Sequence, residues 1–286
     1  MATEAMSQSA AQNHAKGPIS PGQQQTISRE VSLAGIGLHS GQTSQITLRP
    51  ALENTGLVIV QGNQRLAATA DHVQSTVRGT RLLNLATPEH LLAALFGLGI
   101  DNLEIIVKGS EVPILDGSAL PFVEALLSAK IVSQSALKNP LKLNFPCQTA
   151  EKEARLEAWP GNGFKVNFMI DFPKVGQQKF SFSLDHDSFI KEIAPARTVG
   201  YLAEHGALKK QGLALGASLE NALVIGVNGY LNRPRFEDEI VRHKILDLMG
   251  DLALLGRPLE AEILANKTGH RHNIELVRRI LENDRA

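Results

Sequence analysis

The chain of 286 residues contains a single cysteine, Cys147, and this scarcity limits its chemistry. One cysteine excludes an intramolecular disulfide and a metal site built from several thiolates. It fits a reducing compartment, so we expect a cytoplasmic protein. Any metal ligands must come from the nine histidines and from the carboxylates.

Net charge and long apolar runs are also absent. Lysine plus arginine and aspartate plus glutamate number 29 each, so no overall basic field attracts nucleic acid or anionic lipid. The most apolar stretch, 91–100, is too short to span a bilayer. We therefore expect no nucleic-acid partner and no integral membrane segment. A hydrophobic fraction of 43% and a charged fraction of 20% are typical of a folded globular protein.

Residues 1–25 lack apolar periodicity and are rich in Ala, Ser, Gln and Gly, which predicts a disordered tail. They show neither the basic start and apolar run of a secretory signal nor an Arg-rich transit pattern. The remaining length suits two domains of roughly 100–150 residues each. We place the first at 26–132 and the second at 141–286. The polar segment 133–140, which ends in proline, is the predicted linker.

The apolar patterns predict alternating groups of strands and helices. The expected strands are Thr26–Leu33, Gln45–Arg49, Leu57–Val60, Asn102–Val107, Leu141–Phe145, Ala154–Ala158, Phe164–Ile170, Lys179–Leu184, Ala222–Ile225 and Glu260–Leu264. A helix is expected from Thr87 as N-cap with Pro88 at its first position, and further helices at Pro121–Ser128, Asp187–Ile193, Tyr201–Lys210, Glu237–Leu255 and Asn273–Glu282. Strands followed by helices in each half predict an α+β fold of two domains, each a sheet with helices on one face. No short-period repeat is present, so a duplicated fold can be inferred from element order alone.

The predicted helix Glu237–Leu255 carries three polar side chains at a helical spacing. His243, Asp247 and Asp251 stand four residues apart, so consecutive members share one face. Histidine nitrogen and aspartate oxygen are ordinary zinc ligands, and two of them at i and i+4 form half of a metal site. A solvated polar face is the alternative, although acids on a mostly apolar helix need partners.

Glu89 and His90 fall in the first turn of another predicted helix. Adjacent helical residues diverge by about 100°, so one can bind a metal while the other faces the water on that metal. The helix dipole favours an ionised carboxylate at Glu89, which suits a base. Glutamate in a first turn is also common helix chemistry with no further role.

The turn Thr268-Gly269-His270 follows a predicted strand. His270 could act as an acid or stabilise an oxyanion, and Asp251 could orient it through a ring N–H. A surface loop is the alternative interpretation of such a glycine–histidine pair.

Seven segments, in this order along the chain, carry a family resemblance from about residue 26 to the end. They are GIGLHSG at 35–41, TPEHLLAALFGLGIDN at 87–102, VPILDGSALPFV at 112–123, ARTVGY at 196–201, GLALGAS at 212–218, RFEDEIVRHKILDLMGDL at 235–252 and TGH at 268–270. Together they resemble the UDP-3-O-acyl-N-acetylglucosamine deacetylase family of lipid A biosynthesis. The resemblance implies two α+β domains packed around an active-site cleft.

The resemblance also implies a metal centre. Zinc is the implied cofactor, with ferrous iron as the alternative, and its implied ligands are His90, His243 and Asp247. Glu89 resembles the general base of the family.

Further roles follow from the same resemblance. His270 resembles the residue that protonates the leaving amine or stabilises the oxyanion, and Asp251 resembles its partner. Thr198 resembles a hydroxyl that holds the tetrahedral intermediate, and Lys244 resembles a substrate-binding cation.

The implied reaction is hydrolysis of the N-acetyl amide of UDP-3-O-acyl-N-acetylglucosamine, an early committed step of lipid A biosynthesis that releases acetate. The expected partner is thus a small molecule, a UDP-linked acylated amino sugar, and we expect a monomer. An insert at about 199–226 resembles an apolar passage for the acyl chain, with Leu202, Leu213, Leu215 and Ala217 as its implied lining.

Two other hypotheses stay open from the sequence. One is a non-catalytic nucleotide-sugar-binding relative, although every expected catalytic residue is present. The other is a different zinc amidase or peptidase, which lacks support because the chain has no H-E-x-x-H helix.

Overall fold

A computed structural model describes residues 22–284 and confirms an α+β fold. Its strands are β1 Gln23–Ile27, β2 Val31–Ile36, β3 Thr43–Pro50, β4 Leu57–Gln61, β5 Gln64–Ala67, β6 Val73–Ser75, β7 Arg81–Leu82, β8 Leu85–Ala86, β9 Leu103–Lys108, β10 Ile131–Leu137, β11 Leu141–Lys142, β12 Cys147–Glu151, β13 Ala154–Pro160, β14 Phe164–Phe172, β15 Gly176–Ser183, β16 Val199–Tyr201, β17 Leu223–Gly226, β18 Gly229–Tyr230 and β19 Leu259–Asn266. Its α-helices are α1 Glu89–Gly97, α2 Leu120–Ser128, α3 His186–Ser188, α4 Leu202–Lys210, α5 Glu239–Leu252 and α6 His270–Asp284. Short 3₁₀ turns cover Ala70–His72 and Ala253–Leu255, and a π-helical turn, Phe189–Ile193, follows α3.

Two large sheets share one connectivity. The first has the strand order β2-β3-β9-β4-β5 and the second β12-β13-β19-β14-β15. In each five-strand order, the strand that comes last along the chain lies in the middle, antiparallel to one neighbour and parallel to the other. A helix precedes that central strand and another helix follows it. The duplication that element order alone could suggest is therefore present in the fold.

Four helices, α1, α2, α5 and α6, pack against the two large sheets or against one another. In the first half, α2 packs on α1 and β2; in the second, α5 packs on β14 and β15, and α6 on β12 and β13. α1 and α5 pack directly against each other across the centre of the molecule. Every residue of α1 except Phe96 is buried, which explains why this helix is apolar on all sides. This central contact brings the first turn of α1 next to the middle of α5.

The chain between the halves differs from the prediction. The predicted linker 133–140 is strand as far as Leu137, because β10 pairs antiparallel with β1. Its polar side chains bind the first half; Gln134, for example, accepts a hydrogen bond from Asn102 at 2.7 Å and donates to the Ala51 carbonyl at 2.9 Å. The predicted tail 1–25 was also too long, since Gln23–Gln25 belong to β1; residues 1–21 lie outside the described part. Division into domains at 26–132 and 141–286 stays a prediction.

The helix start at Thr87 was predicted wrongly. α1 begins at Glu89 after Pro88, and no side chain caps it. Thr87 has a left-handed backbone, with φ +50°, and its hydroxyl donates to Glu111 Oε1 at 3.2 Å. The hydroxyl therefore ties the helix entry to a buried carboxylate, and a β-branched residue at positive φ is a strained position of the kind that collects near functional sites.

Helix α5 approaches the start of α1 through Gly250. A Cβ built at Gly250 would overlap the carbonyl oxygen of Glu89. We expect Gly250→Ala to force the two helices apart and to lower the free energy of unfolding by about 1–3 kcal/mol. Thermal unfolding measures the effect. Gly206→Ala is the matched control, because Gly206 lies in α4 with nothing near its added Cβ; a gain of up to about 1 kcal/mol is expected there. Equal stability of both variants would contradict this close packing.

No helix within residues 22–284 is both long enough and apolar enough to cross a membrane.

Candidate active site

Three side chains converge where α1 meets α5. His90 comes from the first turn of α1, and His243 and Asp247 lie one turn apart on α5. One donor atom from each lies within 4.8 Å of the other two. Asp247 Oδ1 is 3.2 Å from His243 Nε2 and 3.7 Å from His90 Nε2. All three are buried, so the donor atoms form a compact set of two imidazole nitrogens and one carboxylate oxygen.

The orientation of His243 suits a metal ligand. Its Nδ1–H donates to the Ala196 carbonyl at 3.0 Å, which leaves Nε2 with a free lone pair facing Asp247. Burial, followed by the electrostatic effect of the neighbouring His243, lowers the pKa of His90 to about 3, so its imidazole is neutral at neutral pH. Two imidazole nitrogens together with a carboxylate match the donors that zinc or ferrous iron takes, and the residues present therefore fit a divalent metal.

Asp247 is held ionised by its neighbours. Burial would raise its pKa, but electrostatic interactions with His243, Lys244 and His270 outweigh burial and keep the pKa well below its usual range. Lys244 Nζ donates to Asp247 Oδ2 at 2.8 Å, on the oxygen that does not face the two ligand histidines. The cation predicted to bind substrate is thus also a partner of a candidate metal ligand.

Glu89 lies directly beside this cluster. Its Oε2 accepts a hydrogen bond from the Thr80 N–H at 3.2 Å. The backbone can come this close because position 79 is glycine: a Cβ there would lie 2.8 Å from Glu89 Oε1. Burial is the main cause that raises the pKa of Glu89 to about 8; His270 opposes the rise, and Asp251 and Asp247 add to it. A carboxylate with a pKa near neutrality is matched to proton transfer at neutral pH.

His270 faces the cluster from the start of α6. Its Nδ1–H donates to Asp251 Oδ2 at 2.8 Å, and its Nε2 lies 3.9 Å from Glu89 Oε1. Burial lowers the pKa of His270, but the carboxylates of Asp251 and Asp247 outweigh burial and raise it to about 10. An imidazolium and a carboxyl of raised pKa thus stand side by side, an arrangement that allows one site to provide both an acid and a base.

A cavity of about 200 Å³ opens over these residues. Its walls include Thr198, which follows the segment that orients His243, and the apolar side chains of Leu38, Ile114, Phe172 and Tyr201. The rings of Phe172 and Tyr201 stack with centroids 5.8 Å apart. The cavity therefore joins a polar metal-binding floor to an apolar wall.

Comparison with known proteins agrees with this geometry. Residues 24–282 match the family model LpxC, described as UDP-3-O-acyl N-acetylglycosamine deacetylase. The chain belongs to this deacetylase family. It is 42% identical over 271 residues to the UDP-3-O-acyl-N-acetylglucosamine deacetylase of Geobacter sp. (strain M21), covering 91% of this chain and 89% of that one. The deacetylase of the same description from Shewanella oneidensis is 42% identical over 278 residues, covering 92% and 91%.

The residues predicted to line the acyl passage lie outside the cavity beside the candidate metal ligands. Its lining includes Val199, Gly200, Tyr201 and Glu204 of the same insert, but not Leu202, Leu213, Leu215 or Ala217. Leu202 is half exposed on α4, and Leu213 and Ala217 are partly buried in the loop that follows. The family resemblance implied the insert as a whole, and the contacts of its individual side chains with an acyl chain stay a prediction.

Sequence reasoning missed two polar residues that complete the deacetylase site. Asp251 accepts hydrogen bonds from Thr80 Oγ1 at 2.6 Å and from Asn273 Nδ2 at 2.9 Å, besides the one from His270. Thr80 comes from the first half and Asn273 from α6, so Asp251 joins three parts of the chain. The one feature of the sequence that could have indicated this role is the position of Asn273, three residues after His270 at the start of a helix.

The motif GIGLHSG has a structural role in this deacetylase family member. Buried Glu111 accepts hydrogen bonds from the backbone N–H groups of His39 at 2.8 Å and Ser40 at 2.9 Å. The His39 ring connects two other backbone segments. Its Nε2–H donates to the Arg78 carbonyl at 3.0 Å, and its Nδ1 accepts from the Ala214 N–H at 3.3 Å. The motif thereby ties the loop around residue 78 to the insert beside the cavity.

Replacing Asp251 tests the electrostatics of the deacetylase site. Asp251→Asn keeps a hydrogen-bond acceptor for His270 but removes the carboxylate charge that raises the pKa of His270. The imidazolium then loses its proton at lower pH, so we expect the alkaline limb of the pH–kcat profile to move to lower pH. The profile of acetate release against pH measures the shift, with Asp71→Asn as an exposed carboxylate control. An unmoved alkaline limb would argue against His270 as the acid.

Proposed function

We propose that the chain is a zinc-dependent hydrolase that removes the N-acetyl group of a UDP-3-O-acyl-N-acetylglucosamine, releasing acetate and the free amine. The observation that carries the proposal is the convergence of the His90, His243 and Asp247 donor atoms within 4.8 Å. Family membership supports the substrate, since relatives such as that of Histophilus somni, 40% identical over 278 residues, have this activity in their name.

The metal would be held by His90, His243 and Asp247. Two imidazoles and a carboxylate would accommodate zinc or ferrous iron, and zinc is our choice because two histidines and a carboxylate are an ordinary ligand set for it. When bound, the ion supplies a Lewis acid that polarises the amide carbonyl and acidifies water at the site.

The protein groups around the metal site then perform the proton transfers. Glu89, with its pKa raised to about 8, takes the proton from the attacking water. Thr198 presents its hydroxyl to the oxyanion from the cavity wall. His270, whose pKa is raised to about 10 because Asp251 and Asp247 outweigh burial, delivers a proton to the departing amine. Asp251 keeps the Nε2–H of His270 directed at the reaction centre through its bond to Nδ1–H.

The remaining contacts concern substrate binding. Lys244 at the cavity floor is our proposed cation for polar groups of the sugar nucleotide. Leu202, Leu213 and Ala217 remain proposed contacts of the acyl chain, outside the cavity beside the metal ligands.

Three broader expectations belong to the same proposal. A cytoplasmic location is supported by the free, buried thiol of Cys147, and fractionation tests it. The zero formal net charge supports the absence of a nucleic-acid partner. Monomeric behaviour is checked by size-exclusion chromatography with light scattering.

The deciding experiment couples metal analysis to acetate release from a UDP-3-O-acyl-N-acetylglucosamine. We expect activity to vanish with chelation and to return with one zinc ion per chain. Binding of the UDP-sugar without metal or turnover would favour the non-catalytic alternative instead. Turnover of N-acetyl peptides, but not of the UDP-sugar, would favour a different zinc amidase.

A further inference from the structure

A buried ion pair lies next to the candidate metal centre. Arg197 precedes β16, and Glu239 is the first residue of α5. Arg197 Nε donates to Glu239 Oε1 at 2.9 Å, and its Nη2 donates to Oε2 at 3.1 Å, so the contact is bidentate. Arg197 is 7% exposed and Glu239 is fully buried.

The same two side chains also hold the surrounding backbone. Glu239 accepts hydrogen bonds from the N–H groups of Arg197 at 3.0 Å and Arg235 at 2.6 Å. The Arg197 guanidinium donates to the Arg233 carbonyl at 2.9 Å. The pair therefore fixes the segments around residues 197 and 234 to the first turn of α5.

The metal ligands lie on the same face of α5. Glu239 stands four residues before His243, and Asp247 follows four residues later, which places all three along one side of the helix. Immediately before Arg197, the Ala196 carbonyl accepts the Nδ1–H of His243 at 3.0 Å. Immediately after it, Thr198 lines the cavity. The ion pair is thus one residue away from the group that orients a ligand and from the proposed oxyanion contact.

Buried ion pairs are poor devices for stability alone, because desolvation offsets much of their attraction and apolar residues of similar size often replace them without loss. Groups that orient a metal-bound histidine, by contrast, change metal affinity strongly when they are altered.

We propose that the Arg197–Glu239 pair positions the metal centre: it holds the Ala196 carbonyl on His243 Nδ1, which leaves Nε2 as the ligand atom. This rests on the proposed function only through the assignment of His243 as a ligand. Both members are positioning residues that act through Ala196 and Thr198.

The main test removes the pair while keeping its volume. In Arg197→Met/Glu239→Met we expect zinc affinity, measured on metal-free protein by competition with a chromophoric chelator, to fall about 10–100-fold. The melting temperature of the metal-free protein should fall, because the N–H groups of Arg197 and Arg235 lose their acceptor, but unfolding should stay cooperative. Arg197→Lys should fall between parent and double variant, because lysine keeps the charge but not the bidentate geometry.

A replacement variant and a second measurement keep the test decisive. If the double variant does not fold, Glu239→Gln takes its place, since it keeps the side-chain shape and removes only one charged acceptor. Long-range ¹⁵N–¹H NMR of metal-free protein reports the His243 tautomer directly, and we expect the Nδ1–H form in the parent and a mixture in the variants.

Lys138→Met provides the matched control. It breaks a partly buried ion pair with Asp101, with Nζ and Oδ2 3.0 Å apart, and Lys138 does not line the cavity. Its zinc affinity should equal that of the parent. A folded pair variant with parental zinc affinity and parental tautomer would overturn the inference. A parent that binds zinc but does not deacetylate would contradict the proposed function alone.

Discussion

Glu89→Gln is expected to lower kcat by about 10²–10⁴-fold while the protein keeps its metal. The amide has the size of the carboxyl and can still accept the hydrogen bond from the Thr80 N–H, but it cannot take a proton from water. A loss of this size corresponds to about 3–5 kcal/mol of transition-state stabilisation. Rates of acetate release at saturating substrate, with zinc content measured on the same sample, give the result.

The same substitution is expected to raise the stability of the metal-free protein at pH 8. The pKa of Glu89 is raised to about 8 in the folded protein, from 4.5, chiefly by burial. Between these values the unfolded chain has released the proton that the folded one retains, so stability is lost as pH rises through that range. Metal-free Glu89→Gln lacks this loss, and we expect it to melt at a higher temperature than the parent at pH 8.

Glu124→Gln is the control for both effects, because Glu124 is an exposed carboxylate on α2. It should match the parent in turnover and in melting temperature. Parental turnover in Glu89→Gln would show that another group is the base; loss of zinc in that variant would show that Glu89 holds the metal instead.

The sequence predicted the polar residues of the site better than their surroundings. His243, Asp247 and Asp251 could be placed on one face because a helical spacing is local information. That α1 would bring His90 and Glu89 to the same place depends on the packing of α1 against α5, which no local pattern contains. Thr80 and Asn273 escaped notice for the same reason, since their roles arise only when three distant segments meet at Asp251.

Individual elements were predicted wrongly where the polar side chains of a segment serve contacts with distant parts of the chain. The segment around Gln134 looked like a linker because it is polar, yet its polar side chains bind the first half while its backbone pairs with β1. The predicted strand Thr26–Leu33 is two strands, β1 and β2, in different sheets, because the chain turns at residues 28–30. By contrast, β14 was predicted correctly, since its alternation of buried and exposed residues is a local pattern.

His90→Ala is expected to abolish both metal binding and turnover. The side chain is buried and neutral at neutral pH, with Nε2 3.7 Å from Asp247 Oδ1, so its removal leaves only His243 and Asp247 as ligands. Structural and catalytic zinc sites use three or more protein ligands, and two do not retain the ion against a chelator. Metal analysis after dialysis against a chelator should fall from about one ion per chain to a small fraction.

A thermal readout separates this effect from simple unfolding. Zinc at about 1,000 times its dissociation constant stabilises the parent by about 4 kcal/mol, so the melting temperature of the parent should rise when zinc is added. His90→Ala should stay folded without metal but lose this rise. His72→Ala should keep it, because the His72 ring bonds only locally: Nδ1–H donates to the Ala67 carbonyl at 2.9 Å and lies 3.3 Å from the Thr69 hydroxyl. A His90→Ala protein that still gains stability from zinc and still releases acetate would show that the metal has other ligands. Loss of the zinc-dependent rise with the fold intact would identify His90 as the ligand by which α1 and α5 share one ion.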